Sequence, residues 1–245
     1  MRAAALSALV AWLALGPSPP PPAGRSMVLL VDATESHHSG TPTMWGWQSF
    51  PGGPTRPRPD STVPLWGPIR EFRDALQPGD RATIGAVTDR LILEPGFADT
   101  GAQFEASAWR LLAKADAAVR WTTTPLWDAV DASITALESA PPPRLVVLVT
   151  DGRATGNRLG LDEVARHAVS AGVSVHIVLG LDQDGDPAIR PSSEARRLAE
   201  STGGLFESYA FVRTSPGREI EGPAARVRQV MEALTGGDGV ARGHP

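Results

Sequence analysis

The sequence predicts an α/β fold: an open, mainly parallel six-stranded sheet, covered by helices on both faces, with one antiparallel edge strand. Three observations predict it. Strand-like and helix-like periodicities alternate along the chain, the pattern of strands joined by helices rather than of a sandwich or a bundle. "MVLLVD", "RLVVLVTD" and "VSVHIVLG" are near-continuous apolar runs, as central parallel strands require when neither face meets water. "RATIGAVTDRLILEPGF" reads as two adjoining strands, a hairpin whose second member runs antiparallel at the sheet edge.

Taken in order, strands are expected at 27–32, 81–88, 90–94, 144–150, 173–179 and 204–209. Helices fit at 65–76, 103–117, 125–138, 161–171, 193–201 and 223–234. The helix at 125 follows a threonine run and opens on Pro125, a residue favoured at the first helical position. "PSSEARRLAE" carries the hydroxyl and acid signals of a helix start. "EGPAARVRQVMEAL" places Val227, Val230, Met231 and Leu234 on one stripe, a packing face. The closing "TGGDGVARGHP" reads as a flexible tail over 236–245.

With 245 residues, 42% of them hydrophobic, the chain is long enough for one large domain with a real core. The net charge is −4 and the only lysine is Lys114, so electrostatic capture of nucleic acid is not indicated. Cysteine is absent, which excludes disulfides, thiolate metal sites and cysteine nucleophiles.

The opening "MRAAALSALVAWLALGPSPPPPAGRS" sets one arginine before an apolar run, of a length that suits a signal-peptide core and is short for a membrane span. A core helix is the other reading, and the proline run at 17–22 would stop it. Residues 1–25 are therefore expected to be a signal peptide and proline-rich linker, with the domain at 26–235. Export follows as an expectation, secreted or periplasmic, with no membrane span after cleavage; an uncleaved segment would leave an anchor.

Ligands of an open α/β sheet bind beyond the carboxyl ends of its strands. Three such places supply oxygen. "VLLVDATES" carries Asp32, Thr34 and Ser36, whose spacing of two sends alternate side chains to one side of an extended segment. "TTTPLWDAVDAS" offers Thr122, Thr123 and Thr124, and "LVTDG" ends the most hydrophobic strand in Asp151. Together they make a cage of neutral and anionic oxygens of the kind that hard cations such as Mg²⁺ choose. Taken singly, each is also an ordinary helix cap or polar turn.

In this order, "VLLVDATES", "TTTPLWDAV" and "VVLVTDG" resemble the von Willebrand factor type A domain and its metal-ion-dependent adhesion site. The resemblance spans residues 26–235 and includes "FRDALQPGDRATIGAVTD", which is similar to the family's first helix and following strand. It implies a doubly wound sheet. It also implies that Thr34, Ser36 and Thr124 coordinate Mg²⁺ (or Mn²⁺/Ca²⁺) through hydroxyls, while Asp32 and Asp151 act largely through bound water. Such an ion keeps much of its charge and an open position, which the Asp or Glu carboxylate of a partner protein can fill. The implied function is a non-enzymatic protein-binding module for adhesion or complex assembly.

The chain departs from that family in three ways. Thr34 stands where serine is usual, and Thr122 and Thr123 replace glycines. A long segment, "HHSGTPTMWGWQSFPGGPTRPRPDSTVP", separates Ser36 from the next helix. Its insertion, 39–60, leaves the chain beside the proposed ion, so that Trp45, Trp47 and Phe50 are candidates for apolar contacts around an incoming carboxylate. Alternatively these aromatics fold the loop onto the domain.

His37 and His38 lack a third nitrogen ligand nearby, and "LDQDGDP", with Asp182, Asp184 and Asp186, lacks the glutamate that closes a calcium loop. Asp128 and Asp131 fall within a helix pattern and read as surface or supporting residues. The rival function is an enzyme, an aspartate-dependent phosphotransfer protein or a metal hydrolase, with Asp32 as its reactive group. Against it, Thr34 occupies the position where a second aspartate would serve as acid and base, and no hydrolase or phosphate-loop motif is present.

Overall fold

The computed structural model describes residues 24–33, 65–118, 123–181, 191–210 and 221–236. Among these, six strands form one sheet: β1 (Ser26–Asp32), β2 (Arg81–Val87), β3 (Leu91–Leu93), β4 (Arg144–Thr150), β5 (Val173–Leu181) and β6 (Phe206–Ala210). The order across the sheet is β3-β2-β1-β4-β5-β6, with every neighbouring pair parallel except β2 and β3. The predicted α/β class, the parallel centre and the antiparallel edge strand are all present.

Six helices connect and cover these strands: α1 (Trp66–Asp74), α2 (Gly101–Ala118), α3 (Leu126–Leu137), α4 (Leu161–Ala171), α5 (Pro191–Ser201) and α6 (Glu221–Thr235). The alternation of side chains along a strand divides the core in two. Met27, Leu29 and Val31 of β1 point into one layer with Ile69 and Phe72 of α1, Phe104 and Leu111 of α2, and Val227, Val230 and Met231 of α6. Val28 and Leu30 point into the other, with Val130 and Ile134 of α3, Val164 of α4 and Leu198 of α5. All seven residues of β1 are buried, which is why that strand carries no alternating polar residues.

Several boundaries differ from the sequence expectation for local reasons. The helix expected from Pro125 begins at Leu126: Pro125 (φ −75°, ψ 65°) is the centre of an inverse γ-turn in which Leu126 N donates to Thr124 O at 2.7 Å. The last strand begins at Phe206 rather than 204; before it the backbone of Gly204 is pressed against the Val175 carbonyl, where a Cβ would lie 2.0 Å from that oxygen. Before β1, Arg25 is only 8% exposed, and its backbone N–H and Nε reach Asp80 Oδ1 at 2.8 and 3.1 Å. The folded domain thus takes in the residue just before its expected start.

Candidate functional site

From β1 the chain crosses outward to β2 in one direction, while β4, on the other flank of β1, continues the sheet in the opposite direction. The carboxyl ends of β1 and β4 therefore flank the point where the connections reverse, the crevice in which such sheets bind ligands. Asp32 ends β1 and is 1% exposed. Thr150 ends β4, and its hydroxyl donates to Asp32 Oδ2 at 2.7 Å while accepting from Gly152 N at 2.9 Å. The Gly152 amide occupies the acceptor side of that hydroxyl and so aims its proton at Asp32, which fixes the carboxylate at the strand end.

Asp151 follows directly, and its carboxylate turns the chain: Oδ1 accepts from Arg153 N at 3.0 Å, and Arg153 Nε lies 3.9 Å from Oδ2. A cationic side chain thus borders the proposed ion ligand. Across the crevice, Thr124 is 8% exposed and is tied to the segment after β4 twice. Thr124 N donates to Thr155 Oγ1 at 2.9 Å, and Thr155 N donates to Thr124 O at 2.8 Å.

The tie continues along the first turn of α3. Trp127 N donates to Asn157 Oδ1 at 2.7 Å, which gives one of the open amides of the helix start its partner. Asp128 accepts from the backbone amides of Arg158 (3.0 Å) and Leu159 (2.9 Å) and from Arg158 Nε (3.1 Å). Burial pushes the Asp128 carboxyl upward, but these donors outweigh it and hold it below the usual carboxylate range. Asp128 is a supporting residue, as expected from its place in the helix pattern, and its partner is the loop after β4.

Of the expected ion ligands, the structure brings the segments bearing Asp32, Thr124 and Asp151 together. Thr34 and Ser36 lie outside the described residues, as do Trp45, Trp47, Phe50, His37, His38, Thr122 and the Asp182–Asp186 loop. Among the described residues no group of three or more His, Asp or Glu side chains is placed to hold a metal. The donor set fits a hard cation only if hydroxyls complete it, as the sequence pattern expects.

The sequence reading does not single out five residues of this region: Thr150, Thr155, Asn157, Arg153 and Tyr209. Thr150 was within reach, since it closes a buried apolar strand as a polar residue. The fifth is Tyr209 on β6, 5% exposed; burial first, then the charges of Asp151 and Asp32, push its phenol well above the usual value. Its register partner on β5 is Gly180, and Gly222 of α6 lies against its ring, where a Cβ would fall 2.7 Å from Cδ2.

No family model matches this chain, and no curated protein sequence matches it. Solved structures do match. An aerotolerance-related membrane protein from Bacteroides fragilis aligns over 85% of this chain and 99% of its own, at 13% identity and a TM-score of 0.52. A von Willebrand factor type A protein from Catenulispora acidiphila aligns over 85% of this chain and 43% of its own, at 13% identity and a TM-score of 0.54. The SpRpn10 VWA domain aligns over 84% and 94%, at 11% identity and a TM-score of 0.52. The fold is therefore that of the von Willebrand factor type A domain, and at these identities the fold is what is shared.

Proposed function

We propose that this protein is an exported, non-enzymatic binding module that holds one divalent cation, Mg²⁺ or Mn²⁺ with Ca²⁺ as the alternative, and uses it to grip an Asp or Glu carboxylate on a partner protein. Asp32, Thr34, Ser36, Thr124 and Asp151 would hold the ion, and Trp45, Trp47 and Phe50 would contact the partner around it. The observation that carries this reading is the joining of three oxygen-bearing segments at one switch point, by Thr150 to Asp32 at 2.7 Å and by Thr124 to Thr155 at 2.9 Å. The burial of Asp32, 1% exposed and held by a hydroxyl, suits a fixed supporting charge better than an attacking nucleophile. Among the described residues no helix is long and apolar enough to cross a membrane.

An ion that binds only the folded state stabilises it by about 2.7 kcal/mol at a free concentration a hundredfold above its dissociation constant. Melting should rise with Mg²⁺ or Mn²⁺ and fall back with chelator. Asp151→Ala should abolish most of that shift and Thr124→Ala less, since water replaces a neutral hydroxyl more readily than a charge. An unchanged shift in Asp151→Ala would place the ion elsewhere and remove the basis for adhesion. Export is tested separately by sequencing the amino terminus of native protein from each cell fraction: recovery only from the cytoplasm with Met1 intact overturns it.

A further inference from the structure

We propose that Thr155 is a positioning residue for the cation site, a clasp that makes the threonine segment and the Asp151 segment one rigid body. The inference rests on the cation-site reading above and extends it to a residue with no place in that ligand set. Thr124 and Asp151 belong to chain segments that could drift independently, since one precedes α3 and the other follows β4. Thr155 closes a ring between them with both of its polar groups: its hydroxyl accepts from Thr124 N at 2.9 Å and its amide donates to Thr124 O at 2.8 Å.

Contact at the clasp leaves no slack. Gly156 has φ +71°, and a Cβ there would fall 2.8 Å from both Cβ and Cγ2 of Thr123, so the backbone itself is the packing surface. Immediately beyond, Asn157 holds Trp127 N, and Asp128 holds the amides of Arg158 and Leu159. The whole run from 155 to 159 is thereby seated on the first turn of α3. Thr124 accepts from Leu126 N at 2.7 Å through the same carbonyl oxygen that Thr155 N engages, so the clasp also pins the γ-turn at Pro125.

An ion entering such a site meets donors whose separation is already set, and supporting hydrogen bonds of this kind govern metal affinity by about 10- to 100-fold. The side chain of Thr155 is on an exposed residue, so its removal spares the core. Thr155→Val keeps the shape but takes away the acceptor of Thr124 N. Thr155→Ser restores it.

The test is Mg²⁺ titration calorimetry on the full chain, for the parent, Thr155→Val and Thr155→Ser, with hydrogen exchange of residues 123–127 followed in metal-free protein. Thr155→Val should bind Mg²⁺ about tenfold more weakly and exchange the Thr124 amide faster, and Thr155→Ser should stay within about twofold of the parent on both measures. Faster exchange without metal shows that the clasp holds the threonine segment before any ion arrives. Equal affinity in Thr155→Val and the parent overturns the clasp and leaves the cation site standing, as does equal weakening in the serine variant. A parent that takes up no Mg²⁺ overturns the cation reading and the clasp with it. Should Thr155→Val not fold, Asn157→Ala carries the test through the same segment, with a severalfold loss expected and parental affinity overturning the proposal.

Discussion

Thr150 and Asp32 close the two central strands on one another: the hydroxyl at the end of β4 donates across 2.7 Å to the carboxylate at the end of β1. The bond lies at the sheet's topological switch, so the charge it orients faces the crevice where the fold accepts ligands. Because Gly152 N occupies the acceptor side of the same hydroxyl, the donor has one direction to point. Thr150→Val should keep the fold and weaken the Mg²⁺-dependent rise in melting temperature, whereas Thr150→Ser should preserve it. Differential scanning fluorimetry with and without chelator checks both.

The ion pair of Arg25 and Asp80 should be a main prop of the opposite end of the sheet. Asp80 is 4% exposed and accepts from Arg25 N, Arg25 Nε and Gln77 N. Removing one partner strands the other charge in the interior, which costs about 3–5 kcal/mol. Asp80→Ala should show a loss of that size in urea unfolding, and a loss below about 1 kcal/mol would show the arginine finding water instead.

His176 should make the protein sensitive to acid. It is 2% exposed on β5, its Nδ1 accepts from Leu205 N at 3.0 Å, and burial lowers its pKa to about 4. The unfolded chain takes up a proton near the ordinary histidine value of 6.5 that the native chain refuses until about pH 4. The stability this contributes is present above 6.5 and is lost as pH falls from there to about 4, by up to roughly 3 kcal/mol. Urea melts across that window should show the decline, and His176→Asn should flatten it.

His167 should act with the opposite sign. Its Nε2 lies 2.8 Å from Glu138 Oε1 and its Nδ1 2.6 Å from Asp131 Oδ1, so one imidazolium bridges α4 to α3. The hydrogen bond to Glu138, then that to Asp131, raise its pKa above the ordinary value. Its contribution is fully present below the unfolded value of 6.5 and is lost as pH rises through the elevated folded one. Melting temperatures from pH 6 to 9 should fall less in His167→Gln than in the parent.

Shortening the chain between residues 39 and 60 should leave the fold intact and weaken partner binding. The described residues on either side are both core residues, Ala33 at 1% and Leu65 at 0% exposure, in the same apolar layer. Each packs into the layer that β1, β2 and α1 build. Cooperative unfolding of the shortened protein checks the prediction, and failure to fold would assign Trp45 and Trp47 to structure.

The fold was legible because its central strands are uninterrupted apolar runs and its helices carry apolar stripes, signals that need no knowledge of neighbours. Asp32 and Asp151 were legible for a related reason: a charge at the end of a buried strand stands out. Thr155 and Asn157 were not. They sit in a polar, aperiodic stretch, and their partners, Thr124 and Trp127, lie about thirty residues away, so nothing local marks them. Pro125 misled by one residue because a proline suits a γ-turn and a helix start equally.

The placement of Arg25 also determines how the molecule would be held. Arg25 enters the sheet at the beginning of β1, and Asp32 ends that same seven-residue strand, roughly 20 Å further along at the usual rise of an extended chain. Any tether made through the chain before Gly24 therefore grips the domain at one pole, and the crevice opens at the other. A copy moored to a surface by its amino terminus would carry Asp32, Thr124 and Asp151 outward, with the body of the sheet as the spacer.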